Sequence, residues 1–375
     1  KLSDNGIKLF YVEDLKDSLK ITEKLFAYLM SFFPRYYYKI INKNIDISGP
    51  AVILFTTGRG AKTKSVVLSH KNVQALRAQF SSVMDFGIQD SFFNAMPAFH
   101  SFGIIAGMLF PLLRAIKVFM YHSPLHYRTV SELVYDTNST VILGTDTFLC
   151  GYAKTAHPYD FYSVRFVIAG VEKLRQETVK QWEENFGIRI FEAYGTAETS
   201  STLAINTPMY FKSASVGRFM PSVEYKLETM KGLSSGGRLL VKGPNVTKSS
   251  LDGGVINTSQ DEWFDTGDIV KIDEDGFVFV EGKIERFTEI DGEKISLTAI
   301  ESAVSQIWPE HKHAVINTGG NKKKIVLFTT NGQACLEELE KNSLQDEVKG
   351  FVIPSKIKIL EEIPITGTGA TDYAK

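Results

Sequence analysis

Five stretches of the sequence carry side chains suited to chemistry. Residues 55–65 (FTTGRGAKTKS) combine hydroxyls, glycines and lysines directly after an apolar run. Backbone N–H groups of such a loop can face phosphate oxygens, with lysine charge beside them. The Walker A spacing is absent, and a plain strand-to-helix turn accounts for the same residues. Residues 94–103 (NAMPAFHSFG) set His100 among aromatics and glycine, where it either lines a cavity or sits satisfied in the core. In residues 191–199 (FEAYGTAET), Tyr194 is placed to stack on a base, and Glu198, four residues on, to hold a hard cation such as Mg²⁺. An ordinary exit from a strand is the competing explanation. Residues 263–268 (WFDTGD) put Asp268 in a tight glycine turn, suited to accept both hydroxyls of a ribose. The DEDGF that follows reads as a hairpin turn, and its oxygen spacing excludes an EF-hand. The tail, residues 363–373 (IPITGTGATDY), reads as a flexible chain end.

Elements must hold these residues in place. Residues 51–55 (AVILF) form a buried-strand candidate that feeds the first loop. Strand patterns at 118–121, 141–143, 166–169 and 189–192 alternate with helical stretches such as 71–83 and 176–186. That alternation predicts a parallel sheet built from βαβ units. After about residue 215 glycines cluster and strands become short, which predicts an antiparallel or barrel-like subdomain. From about residue 284 the pattern is a compact α+β unit. Its helix spans 297–306 with Ser296 as cap, and its strands lie at 313–317, 324–329 and 356–360. Residues 25–41 (LFAYLMSFFPRYYYKII) have helical spacing in their first half, and Pro34 should break or kink the run. This stretch either packs on the core or, with Arg35 and Lys39 among the aromatics, forms a membrane-surface patch.

Composition bounds the function. The 375 residues suit two to three domains, and 43% are hydrophobic against 23% charged. Forty-two basic residues against forty-three acidic ones, a net charge of −1, exclude a whole-chain footprint for nucleic acid and an acidic disordered tail. Cys150 and Cys335 are too few for a disulfide framework, which implies a reducing compartment. The sequence shows neither a signal peptide nor an apolar run of about 18 residues. It begins at Lys1, which suggests a piece of a longer chain.

In order and spacing, the motifs resemble the adenylate-forming superfamily of acyl-CoA synthetases, luciferases and peptide-synthetase adenylation domains, from about Ala51 to the end. Within it the closest resemblance is to acyl-acyl-carrier-protein synthetases, including the synthetase half of the bifunctional 2-acylglycerophosphoethanolamine acyltransferase. The residues behind this are 144–149 (GTDTFL), 157–162 (HPYDFY), 169–174 (AGVEKL), 242–246 (KGPNV) and the terminal GTGATDY. The resemblance implies an α/β fold: a truncated large domain with a parallel sheet and a β-rich subdomain near 215–283, then a small mobile α+β domain. The boundaries are 1–283 for the large AMP-binding domain and 284–375 for the small one, with the active site in the crevice between them.

The implied reaction has two steps. A fatty acid attacks the α-phosphate of ATP, with Mg²⁺, to give acyl-AMP, and a carrier-protein or CoA thiol then takes the acyl group. By resemblance, Thr56, Thr57 and Gly58 hold the β- and γ-phosphates, with Lys64 as the loop lysine. Gly170, Val171, Glu192 and Gly195 border the nucleotide, Tyr194 stacks on adenine, and Asp268 with Lys283 takes the ribose. Glu198 binds Mg²⁺, His100 lines the acyl pocket, and Glu285 is the hinge. Several residues depart from the pattern: Arg59, Gly60, Ala61, Thr63 and Ser65 in the loop, Ala197 in place of threonine, and Lys283 in place of arginine. Ala370 stands at the usual position of a catalytic lysine, either by substitution or by divergence. Loss of one such electrostatic contact costs about 3–4 kcal/mol of barrier. Two readings follow: an active acid–thiol ligase, or a catalytically impaired member that binds nucleotide or acyl ligand without turnover. A structural module with no ligand would leave the motif order unexplained. The expected location is the cytoplasm, at the inner membrane face if the aromatic stretch is a surface patch.

Overall fold

A computed structural model describes residues 14, 18–42, 46–57, 63–229, 236–290, 293–318, 324–343, 352–366 and 371–373. Gly58 and residues 59–62 of the first loop, and Ala370 in the tail, lie outside the described residues. The chain divides into two compact units, residues 1–49 and 50–375.

Among its described residues the first unit contains two helices, α1 (Ile21–Ser31) and α2 (Pro34–Ile41). The run breaks at Pro34, as expected: the first helix ends at Ser31, and Pro34 opens the second at N1. There its missing N–H costs nothing and its fixed φ already suits the helix. Neither helix contains a buried residue, so neither is a core helix.

The second unit is an α/β structure. Strands β3 (Ser91–Asn94), β4 (Lys117–Met120), β5 (Val141–Gly144), β6 (Phe166–Ala169) and β7 (Ile190–Tyr194) pair in parallel in the order β4-β3-β5-β6-β7. Two short antiparallel strands, β8 (Ala204–Ile205) and β9 (Arg218–Phe219), complete the sheet. β5 and β6 are buried along their whole length, the continuous apolar type that parallel sheets demand. Helices cover the sheet. One is α3 (His70–Val83), capped where Ser69 Oγ accepts from the Asn72 N–H at 3.2 Å. Another is Gln176–Phe186, which ends on left-handed Gly187 and buries Trp182.

The 51–55 run is a strand, but not a buried one opening the parallel sheet. β1 (Pro50–Thr57) turns back and pairs antiparallel with β2 (Thr63–Ser69). In this ribbon Leu54 is buried while Ile53 and Phe55 are exposed. β2 is the more buried strand, and its Ser65 Oγ accepts from the Leu251 N–H and donates to the Leu251 carbonyl, both at 2.6 Å.

A four-stranded antiparallel sheet follows, in the order β10 (Glu224–Glu228), β11 (Gly237–Lys242), β14 (Phe264–Ile272), β15 (Val278–Lys283). It packs a core of its own around Leu239, Val241, Val270 and Val278. The last part forms the expected α+β arrangement. The Ser296 side chain caps helix Leu297–Ile307, and three strands, His313–Thr318, Lys324–Thr329 and Lys356–Ile359, surround a third core with Ile300, Val304 and Leu327. Among the described residues no helix is long and apolar enough to cross a membrane.

Candidate active site

The carboxyl ends of the parallel strands converge on one place. The chain leaves β3 toward His100, β6 at Gly170 and β7 at Tyr194, and this rim is where open α/β sheets bind ligands. A cavity of about 170 Å³ opens there. His100, Phe102, Gly170, Val171, Gly195 and Lys283 line it, with Thr196, Ala197 and Ser201 beside them. Six residues singled out in the sequence thus meet here although the first and last stand 183 positions apart: His100, Gly170, Val171, Gly195, Ala197 and Lys283.

His100 sits at the start of a π-helical stretch, Phe102–Leu109. Its Nδ1 accepts the Phe102 N–H at 3.2 Å, and burial lowers its pKa. A neutral ring with Nδ1 accepting carries its proton on Nε2, so His100 offers one N–H donor. The π turn is locked from below: Asn94 is buried and its Nδ2 donates to the Gly103 carbonyl at 2.9 Å. A Cβ on Gly107 would fall 2.6 Å from that amide, and one on Gly195 would fall 2.3 Å from the Ser201 carbonyl oxygen. Val171 holds φ at 75°, a left-handed backbone that a β-branched side chain strongly resists.

Asp268 is 3% exposed. The Tyr194 hydroxyl donates to its Oδ2 at 2.6 Å, and Lys283 Nζ lies 2.8 Å from its Oδ1. Burial, with Asp268 next, pushes the Tyr194 phenol well above its usual pKa. Asp268 is not in a tight turn, as its glycine neighbour suggested, but inside β14. Gly267 at φ 70° bulges the strand there, where the register with β11 slips. The bulge keeps Asp268 opposite Lys283 on β15.

Glu198 faces Lys64, whose Nζ is 3.1 Å from its Oε1. Lys64 is not in the loop; it stands on β2 opposite Thr56, whose Oγ1 donates to the Lys64 carbonyl at 3.4 Å. Thr57 ends β1. Glu192 lies apart from the cavity lining, in a group with Lys173 and Asp146, and burial pushes its carboxyl up to about 8. Glu172 has Thr147 N–H and Oγ1 donating to its Oε2 at 3.0 and 2.9 Å, and burial raises it to about 7. Glu285 is exposed in the short turn Ile284–Arg286 after β15. The tail is not free beside its undescribed tip. Ile365 bridges Thr371, and the Tyr373 hydroxyl donates to both oxygens of Glu301 at 3.0 and 2.9 Å.

Sequence reasoning passed over Thr196. It lines the cavity, and its buried hydroxyl has no hydrogen-bond partner among the described residues. Its position between Gly195 and Glu198 in a motif already singled out was the available signal.

Comparison with known proteins gives the class. Residues 13–251 match the family model of AMP-binding enzymes, and the chain belongs to that family. Among its relatives are the 2-succinylbenzoate–CoA ligase of Listeria monocytogenes (27% identical, covering 86% of this chain and 69% of that protein) and the medium-chain fatty-acid–CoA ligase of Escherichia coli (23%, covering 85% and 59%). A probable CoA ligase of Humulus lupulus is 26% identical, with 86% of this chain and 65% of that protein covered. The chain thus spans about two thirds of the length of the curated relatives it matches. The same fold occurs in the O-succinylbenzoate coenzyme A synthetase of Bacillus subtilis in complex with ATP and magnesium ion, with a TM-score of 0.76 at 22% identity over 87% of this chain and 70% of that one.

Proposed function

We propose that this chain is the adenylate-forming part of an acid–thiol ligase that binds ATP with Mg²⁺, joins a fatty acid to AMP and passes the acyl group to a thiol. The observation that carries this is Asp268: a buried carboxylate held by Tyr194 and by Lys283, whose own side chain lines a cavity on the carboxyl rim of a parallel sheet, while Asp268 and Tyr194 stand behind that lining. The donor set fits a nucleoside triphosphate and a hard cation. Asp268 accepts the hydroxyls of a ribose, with Lys283 as the contact it exchanges. Glu198 supplies a carboxylate oxygen for Mg²⁺, and releasing Lys64 frees an ammonium for the phosphates. The unpartnered Thr196 hydroxyl is a further donor toward phosphate oxygen. His100 directs its Nε2 proton toward the acid's carboxylate. Bound ATP supplies an α-phosphate for attack by the carboxylate, with pyrophosphate leaving.

The family's CoA ligases support a thiol as acceptor. The AGVEKL, HPYDFY and GTGATDY stretches support a fatty acid and a carrier-protein thiol, with CoA as the alternative acceptor. Separate cores on either side of residue 283 support a small domain 284–375 that turns about Glu285. Among the described residues, Lys173 Nζ reaches Ser302 Oγ at 3.3 Å, Lys154 Nζ lies 4.0 Å from Glu310 Oε2, and Ser296 Oγ donates to the Glu281 carbonyl at 3.2 Å across that boundary. Ala370 favours a second reading, binding with little turnover, because alanine offers neither charge nor donor.

Calorimetry with a non-hydrolysable acyl-adenylate mimic, paired with ATP–pyrophosphate exchange on a long-chain fatty acid, tests both readings. The mimic binds the chain, and Asp268→Ala loses that binding. The chain exchanges slowly, and Ala370→Lys raises the rate by about 10²–10³. Equal binding by Asp268→Ala overturns the nucleotide site. Binding without exchange in Ala370→Lys selects the non-catalytic member.

A further inference from the structure

Two consecutive serines on the cavity wall stand in the left-handed backbone region, Ser200 at φ 56° and Ser201 at φ 86°. Residues with a side chain enter that region singly and at a cost, so a pair persists only where its surroundings over-determine it. Ser201 lines the cavity together with Thr196 and Ala197, and Glu198 lies between them in sequence. The chain that fixes this turn comes from elsewhere, in residues 244–247 (PNVT).

Asn245 has no exposed surface. Its Nδ2 donates to the Thr199 and Thr202 carbonyls, both at 3.0 Å, one on each side of the serine pair. Its Oδ1 accepts from Gln79 Nε2 at 3.2 Å, and its backbone carbonyl accepts from Ser200 Oγ at 2.7 Å. Both N–H donors and the oxygen of the amide are used, so it fits only one way round. Thr247 ties the same turn to β2. Its N–H donates to the Glu198 carbonyl and its Oγ1 to the Val67 carbonyl, both at 2.7 Å. β2 also carries Lys64, whose ammonium faces the Glu198 carboxylate. From α3, Asn72 Nδ2 donates to the Pro244 and Val246 carbonyls at 2.9 and 3.2 Å. Buried polar bonds of this kind are strong and specify one arrangement. Neither Asn245 nor Thr247 lines the cavity.

We propose that Asn245 and Thr247 are positioning residues. They hold the 196–201 turn in its left-handed form and thereby set Thr196 and Glu198 for a Mg²⁺-bound triphosphate. This rests on the nucleotide reading above. The experiment compares Asn245→Ala, Thr247→Val and Thr247→Ser with the parent in the full chain. The valine keeps the shape and the backbone N–H and loses the hydroxyl, which the serine retains. Each form is titrated with ATP at rising Mg²⁺ and with AMP alone, and amide hydrogen exchange is followed over 196–202. Asn245→Ala and Thr247→Val weaken Mg²⁺-dependent ATP binding by at least about tenfold. AMP, held at Asp268, binds them as it binds the parent. Exchange over 196–202 rises in both, while the helix Gln176–Phe186 keeps the parent's protection. Thr247→Ser matches the parent throughout. Equal losses of ATP and AMP show general weakening of the fold and overturn the proposal. So does parent-like ATP binding by Thr247→Val, or a serine variant that fails with the valine one. If Asn245→Ala does not fold, the two Thr247 variants decide. A parent that binds neither nucleotide overturns the nucleotide reading, and exchange then decides alone: unchanged protection of 196–202 in Thr247→Val overturns the brace, and a rise confined to that turn supports it.

Discussion

Glu192 shows how one side chain couples the site's surroundings to pH. Its carboxyl is buried near Asp146, and Lys173 only partly offsets the cost. The folded state raises its pKa from 4.5 to about 8. Between those values the folded chain keeps a proton that the unfolded chain has released. The contribution to stability is therefore complete below about pH 4.5 and is lost as pH rises through about 8. Glu172, raised to about 7 by burial, acts in the same direction. Glu192→Gln keeps a carbonyl acceptor and never ionises. Above pH 8 it should be more stable than the parent by about 1–3 kcal/mol, with near equality at pH 5. Urea unfolding midpoints across that range check it, and a variant less stable than its parent at pH 8.5 removes Glu192 as the strained group.

Between elements, the tail is fastened to the helix Leu297–Ile307 by one buried carboxylate. Glu301 accepts from Arg286 Nη2 at 2.7 Å, from the Val315 N–H at 2.6 Å and from the Tyr373 hydroxyl. The Arg286 guanidinium also lies 3.8 Å from the centroid of the Tyr373 ring. Tyr373→Phe keeps the ring and drops the hydroxyl, at a cost of about 1 kcal/mol. Its tail should be cut faster by a nonspecific protease while the rest of the chain resists. Unchanged cleavage would show that the bond does not hold the tail. No sequence pattern announces this fastening, because its four segments are brought together only by packing. The same holds for Asp268 and Lys283, whose pairing depends on a bulge that fixes register. Periodicity did reveal the buried strands at β5 and β6 and the helix Gln176–Phe186, since each has a strong apolar pattern of its own. It failed at β1, because an apolar run does not say whether its partner is parallel or antiparallel. Lys64 was consequently expected in a loop and stands on a strand. Gly195 follows directly from the end of β7, so short-range spacing alone brings it to the cavity lining.

Among the described residues three apolar cores organise the second unit. One lies around the parallel sheet, one in the four-stranded sheet, and one beneath the helix Leu297–Ile307. The cavity residues come from the regions of the first two, and Asp268 lies in β14 of the second sheet. The third core, built on residues 297–339, contributes no side chain to the cavity lining. A ligand in the cavity therefore stabilises the first two against unfolding and leaves the third alone. With the proposed boundary at 283/284, calorimetry of the full chain should show a smaller transition for residues 284–375 apart from the main one. The acyl-adenylate mimic at 100 times its Kd should add about 2.7 kcal/mol to the main transition only. A single transition that shifts as a whole would place all three cores in one cooperative unit and remove the boundary at 283. Two transitions that both shift would mean that the small domain closes on the mimic. Glu285 lies at the junction of the two regions, so its replacement by glycine should leave the main transition in place and broaden the smaller one.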